Sequence, residues 1–350
     1  MAHTLPALTL DELSQALGSR ARALATLQWL GRVQPLPNAL PEAIPNVSRR
    51  AWADFKAHHA LASPRIAART QSPDGTTKYA LEFAGAQVET VRIPTRGRST
   101  VCISSQAGCS RHCAFCATHT LGLKRQLLAE EMVAQFLVAR ADAPPSAPAR
   151  NVVFMGMGEP LDNLEEVLRA VRVLTQAPFP QLKAESVTVS TSGVVPGMVR
   201  FLSETRASLA LSLNATTDEV RTRLMPQNAL WPIAALMDVL QTFHARDPRR
   251  ATLIEYVLFD GVNDSDADAD RLVALLQPIH ARVNLIPWNP FPGPGLAPPR
   301  PERLAAFHQR VSRAGQRCMV RWPRGQEIAG ACGQLVLARD GVGFLGAPLR

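Results

Sequence analysis

Lysine is nearly missing from this chain: Lys56, Lys78, Lys124 and Lys183 are the only four in 350 residues, so arginine carries almost all of the positive charge. A formal net charge of +9 suits a polyanionic partner such as nucleic acid, because cationic side chains displace counterions and guanidinium forks match phosphate oxygens. A compositional bias toward Arg, Ala and Pro produces the same charge without a partner, and composition alone leaves both readings standing. No apolar run approaches the ~20 residues of a membrane span. The start, Met1-Ala-His-Thr-Leu-Pro6, lacks the basic and apolar regions of a secretory signal. Cysteines are too few for a disulfide framework, and three of the six crowd into eight residues, which fits a reducing compartment. The expectation is a cytoplasmic protein with no membrane association, and no solenoid-type repeat is present. The length leaves room for one large domain with a smaller one beside it.

Residues 1–62 read as helical. Thr9 or Asp11 caps a helix carrying Leu13, Leu17, Ala21 and Leu24, and a second runs from Ser48 through Trp52 and Phe55. Segments 77–83 and 87–93 flank 84–86 as a β-hairpin, and alternation along its second strand gives Glu89 a solvent-facing place. Six short β-prone runs follow, at 101–104, 152–154, 187–189, 209–213, 253–258 and 283–286, with helical stretches at 129–140, 164–175, 196–203, 232–244 and 266–277 between them. Such alternation predicts parallel βα units, whose chemistry sits on loops after the strands' C-terminal ends. Residues 287–301 form an irregular connection able to act as a lid. A helix over 301–314, a strand over 318–322 and a small, flexible segment over 325–333 complete the chain.

The unusual polar pieces all fall on that one rim. Cys109-Ser-Arg-His-Cys113-Ala-Phe-Cys116 follows the first run. Three soft thiolates so close can share an iron–sulfur cluster that keeps one iron open, or a zinc site completed by Cys102, His112 or His119. Gly156-Met-Gly-Glu159-Pro160 follows the second run; it lacks the third glycine of a dinucleotide loop, and Glu159 can accept from an ammonium group. Ser190 to Gly193, Ser212 to Asn214, and Asn289 offer hydroxyls and amides that serve equally well as turns or caps. Cys318 begins an apolar run and reads as structural.

The C-x3-C-x-aromatic-C spacing resembles that of radical SAM enzymes, whose loop holds a [4Fe-4S] cluster. Five motifs in register narrow the resemblance: Val101-Cys-Ile-Ser-Ser-Gln-Ala-Gly-Cys109, Met155-Gly-Met-Gly-Glu-Pro160, Ser190-Thr-Ser-Gly-Val-Val-Pro196, Asn284-Leu-Ile-Pro-Trp-Asn-Pro-Phe-Pro-Gly293 and Ala331-Cys-Gly-Gln-Leu335. Together they resemble the RlmN/Cfr family of radical SAM RNA adenine methyltransferases. The resemblance implies an α/β fold, a partial (β/α)6 barrel with a small helical N-terminal domain and a β-hairpin. The expected organisation is an RNA-facing accessory domain over 1–62, a linker and hairpin over 63–98, a barrel core over 99–322 and a C-terminal segment over 323–350.

By the same resemblance Cys109, Cys113 and Cys116 hold the cluster, and Gly158, Glu159, Ser190, Ser212, Leu213, Asn214 and Asn289 line the S-adenosylmethionine pocket. Cys332 matches the cysteine that becomes methylated, Cys102 the one that resolves the adduct through a transient disulfide, and Glu89 the proton acceptor. Two S-adenosylmethionine molecules are used per turnover, one to methylate Cys332 and one to generate the radical that activates the S-methyl group for an unreactive adenine carbon. The implied product is 2-methyladenosine in ribosomal RNA, tRNA or both, with C8 methylation the alternative within the family. A zinc-stabilised RNA-binding protein without catalysis is the alternative outside it. The implied partners are RNA and an electron donor such as flavodoxin or ferredoxin, with the chain acting as a monomer. Asn214 stands where many members have histidine, and residues 117–125 depart from the family's usual sequence.

Overall fold

The computed structural model describes residues 4–336; residues 337–350 of the expected C-terminal segment lie outside the described residues. Thr9 does cap a helix, in a reciprocal box with Glu12. The single N-terminal helix expected through Leu24 is instead two, α1 (Leu10–Ala16) and α2 (Arg20–Arg32). Gly18 turns the chain with φ +62° and Ser19 starts the next helix by accepting from the Arg22 amide. Ser48 caps α3 (Arg49–His58) in the same way. Leu13, Leu27, Trp52 and Phe55 pack into one apolar core with the strands of the main sheet.

Three antiparallel strands follow, β1 (Arg65–Gln71), β2 (Thr77–Phe83) and β3 (Ala86–Thr95). The β2–β3 turn is tighter than the sequence suggested: Phe83 pairs with Ala86, leaving Ala84 and Gly85 as the whole loop. Next comes β4 (Arg98–Cys102), antiparallel to β3 and the first strand of a parallel run. Between β4 and the following helix, the short strands β5 (Gln106–Gly108) and β6 (Leu123–Gln126) pair and frame the cysteine loop.

The rest alternates as the sequence predicts. The order is α4 (Ala129–Ala141), β7 (Ala149–Phe154), α5 (Leu164–Thr175), β8 (Val187–Thr191), α6 (Val195–Glu204), β9 (Ser208–Ser212), α7 (Asp218–Leu224) and α8 (Ile233–Arg246). It continues with β10 (Thr252–Leu258), α9 (Asp266–Leu276), β11 (Ala281–Pro287), α10 (Pro301–Arg313) and β12 (Arg317–Val320). Among the described residues one ten-stranded sheet runs β1-β2-β3-β4-β7-β8-β9-β10-β11-β12, with every pair from β4 onward parallel. Its end strands do not pair with each other, so the barrel is open. Valine-, leucine- and isoleucine-rich strands fill its interior, as both-face burial of a parallel sheet requires.

Candidate active site

The loops after β4, β7, β8, β9 and β11 meet around one cleft enclosing about 940 Å³ of atom-free space, open to solvent. Cys109, Cys113 and Cys116 line it together with Gly158, Glu159, Ser190, Ser212, Asn214, Asn289 and Cys332. Leu213 does not reach it: its side chain is wholly buried and its carbonyl accepts from Arg221 Nε at 3.0 Å. A second cavity adjoins the first, lined by Cys102, Cys332, Glu255, Arg321 and Trp322 among others. Of the six cysteines, Cys332 alone lines both.

The cysteine loop is held at several points. Gly108, just before Cys109, has φ +79°, and a Cβ there would come within 1.7 Å of the Gly122 carbonyl oxygen. Phe115, the aromatic before the last cysteine, packs on Phe259 with ring centroids 5.5 Å apart, and its carbonyl accepts from Trp288 Nε1 at 3.1 Å. The Ala114 amide donates to the Leu224 carbonyl at 2.9 Å. The aromatic thus serves as an anchor in a small satellite core with Leu224, Met225 and Trp288.

Burial raises the pKa of all three thiols, Cys109 to about 12. Cys113 is raised further by its Cys116 and Cys109 neighbours. Thiols crowded in this way ionise when metal supplies the positive charge. Among the described residues no three His, Cys, Asp or Glu side chains gather tightly enough for a single metal ion. All three thiols line the same cleft, a soft donor set of the kind that holds an iron–sulfur cluster. The partners a zinc tetrahedron needs lie elsewhere: neither His112 nor His119 lines the cleft, and Cys102 lines the neighbouring cavity.

Glu159 is buried, with Oε2 accepting from the Ser192 amide and hydroxyl at 2.7 Å each and Oε1 from the Leu161 amide at 3.0 Å. Burial raises its pKa, with those hydrogen bonds opposing. Among the described residues no cationic side chain forms a salt bridge with it, so the cleft presents a buried carboxyl suited to a ligand ammonium group. Asn214 adopts φ +57° and donates its amide to Met225 Sδ at 3.3 Å while its Oδ1 accepts from the Val257 amide at 2.9 Å. Ser190 and Ser212 hydroxyls lie 3.4 Å apart on neighbouring strand ends.

Sequence reasoning passed over Arg221, which organises this rim. Completely buried on α7, it donates to the Ser192, Ser212 and Leu213 carbonyls and to Asn228 Oδ1. Burial lowers its pKa to about 10. Glu255, buried on β10 between the cavities and hydrogen-bonded to Asn284 at 2.8 Å, was also missed. A glutamate inside a β-prone run carries no sequence mark of its role.

The Cys332 segment is tied to the barrel loops by three hydrogen bonds. The Asn289 amide donates to the Cys332 carbonyl at 3.0 Å, the Ala117 amide to the Gly333 carbonyl at 2.7 Å, and Thr118 Oγ1 to the Leu335 carbonyl at 2.7 Å. Cys332 borders both cavities, and desolvation raises its thiol pKa. Cys102 is buried, with its thiol raised by desolvation and by the nearby Cys332. The disulfide between these two, which the resemblance implied, is not formed, since all six cysteines are free.

Glu89 lines neither cavity, and it is not the solvent-facing carboxylate that alternation predicts: only 2% of it is accessible. Lys78 Nζ lies 2.9 Å from Oε1, while Oε2 is buried without a hydrogen-bond partner. Burial raises the pKa to about 7, against the pull of Lys78. Val91 pairs with Cys102 across the sheet, so Glu89, two residues earlier, shares Cys102's face.

Comparison with known proteins agrees with this geometry. Residues 103–273 match the radical SAM superfamily. A probable RNA methyltransferase of Sorangium cellulosum is 46% identical over 86% of this chain and 76% of its own length. The dual-specificity RNA methyltransferase RlmN of Bartonella henselae is 40% identical over 96% of this chain and 89% of its own. The crystal structure of a radical SAM methyltransferase from Sphaerobacter thermophilus, 37% identical, superposes with a TM-score of 0.85 over 95% of this chain and 99% of that one. Fold, cysteine loop and relatives converge: the chain belongs to the RlmN/Cfr family of S-adenosylmethionine-dependent radical SAM RNA methyltransferases.

Proposed function

We propose that this enzyme methylates adenosine at C2 in ribosomal RNA, tRNA or both, with Cys332 as the methyl carrier. The observation that carries the reading is the place of Cys332, shared by the cleft of the three clustered cysteines and the cavity of Cys102. A carrier has to receive a methyl group on one side and present it to a base on the other. In this reading Cys109, Cys113 and Cys116 hold a [4Fe-4S] cluster, and Gly158, Glu159, Ser190, Ser212, Asn214 and Asn289 face S-adenosylmethionine, with two molecules used per turnover. Bound there, cluster and S-adenosylmethionine supply a 5′-deoxyadenosyl radical.

The protein's own groups do the rest. Cys332, as thiolate, accepts the methyl group by displacement. Glu89, with its pKa near 7, takes the proton lost from the adenine ring carbon. With the S-methylene carbon of Cys332 bonded to the adenine ring carbon, and the adduct relieved of one electron and of that ring proton, Cys102 as thiolate attacks the Cys332 sulfur. The sulfur–carbon bond breaks with its electron pair going to the base, the released carbon takes up a proton to become the methyl group, and a Cys102–Cys332 disulfide remains for cellular thiols to reduce. Flavodoxin or ferredoxin as electron donor, a cytoplasmic setting and a monomeric enzyme complete the proposal. Nucleoside mass spectrometry of RNA from a deletion strain tests it. Loss of 2-methyladenosine, restored by the wild-type gene and not by Cys332→Ala, is expected. Loss of 8-methyladenosine would move the reaction to C8, and unchanged methylation would overturn the reading.

A further inference from the structure

We propose that Trp322 is a stacking platform for an unpaired base of the RNA substrate, held at the mouth of the second cavity. The inference rests on the RNA methyltransferase reading above and adds a specificity-determining residue to it. Trp322 is the one aromatic among the exposed large apolar side chains of the described residues, with 67% of its surface accessible. Among the described residues no aromatic ring or guanidinium stacks on its indole. Yet it lines the same cavity as Cys102 and Cys332. A bare indole plane therefore borders the space where the methyl carrier and the resolving thiol meet.

Its backbone is already fixed. The Arg321 amide donates to the Leu285 carbonyl at 2.8 Å, continuing the β12 pairing past Val320. Pro323 restricts the residue before it to extended conformations, so Trp322 loses little freedom on binding. Arg321 and Arg324 flank it on the same cavity wall, and Arg324 stays half-exposed with its guanidinium 3.6 Å from Asp74. An aromatic plane between arginines is the arrangement that holds a splayed-out base by its π-face and its phosphates by charge. Enzymes that act on a base ring atom must unstack that base, and an exposed ring at the entrance compensates for the lost stacking.

The test uses anaerobically reconstituted holoenzyme with unfractionated RNA from a deletion strain, reading methyladenosine formed against RNA concentration. Trp322→Leu keeps an apolar side chain and removes the ring; the expected result is a rise of roughly 5- to 150-fold in apparent KM, with the rate at saturating RNA little changed. Trp322→Phe should stay within about threefold of wild type, the stacking term being common to aromatic rings. A synthetic RNA stem-loop with an unpaired adenosine should quench tryptophan emission in wild type, and that RNA-dependent quenching should be lost in Trp322→Phe, which has no indole at the position. Equal KM for Trp322→Leu and an active wild type would overturn this inference alone. A wild type that methylates neither Cys332 nor RNA would overturn the underlying reading and this inference with it.

Discussion

A carboxyl group that titrates near neutral pH can accept a proton in one step of a cycle and lose it before the next, and Glu89 is such a group. Its proton affinity comes from burial, opposed by Lys78 2.9 Å away. Only the ionised form accepts a proton, so turnover should rise with pH through about 7 and fall roughly tenfold per unit below it. Glu89→Gln should lower the rate by ~10²–10⁴-fold and flatten that acidic limb; a pH–rate profile under single-turnover conditions measures both, and an unchanged limb would remove Glu89 from the proton transfer. The parity of Glu89 was legible in the sequence and its environment was not. Its neighbour Thr90 faces α4, bonding Gln135 at 2.9 Å, so Glu89 does point away from the helix. What alternation could not show is that a distant part of the chain reaches that other face, where Lys78 donates to the Ala329 carbonyl. Arg221 was illegible for a similar reason: nothing local separates a buried rim clamp from the many surface arginines.

Among the elements, those with a strong period were read nearly to the residue. The stretch 164–175 is α5 because its apolar positions, Val167, Leu168, Val171 and Leu174, recur on one face and are all buried. The cysteine loop is different: its spacing announced a metal centre, while its shape depends on β5 and β6, two short strands with no apolar signature. Gly108 is the tightest point of that frame. Gly108→Ala would drive a methyl group into the Gly122 carbonyl in a conformation that alanine disfavours. The expected outcome is a folded protein, by circular dichroism, that binds less than about half the iron of wild type per chain after anaerobic reconstitution, since a misplaced first ligand weakens all three. Iron and sulfide quantification checks this, and wild-type loading would show that the loop tolerates the shift.

At the scale of the whole molecule, the open sheet brings residues from Cys109 to Cys332 to one end, where loops following five parallel strands meet. The N-terminal helices are part of this body as well. Arg169 on α5 bonds Glu12 and the Ala7 carbonyl, and burial of Leu13 and Trp52 in the common core joins them to the barrel. The alternation of strands and helices was legible because parallel sheets need apolar strands and regular crossovers. The fixed position of the Cys332 segment was not, because hydrogen bonds to Ala117, Thr118 and Asn289 span more than forty residues of sequence.

The place of Cys332 between the two cavities underlies its role as methyl carrier, and mass mapping of the protein tests that role. Anaerobically reconstituted wild-type protein, given S-adenosylmethionine and reductant without RNA, should yield a Cys332 peptide heavier by one methyl group, and Cys332→Ala should yield no methylated peptide anywhere in the chain. A Cys332 peptide that stays unmodified while S-adenosylmethionine is cleaved, or a methyl group found on another residue, would contradict the assignment of Cys332 as the carrier.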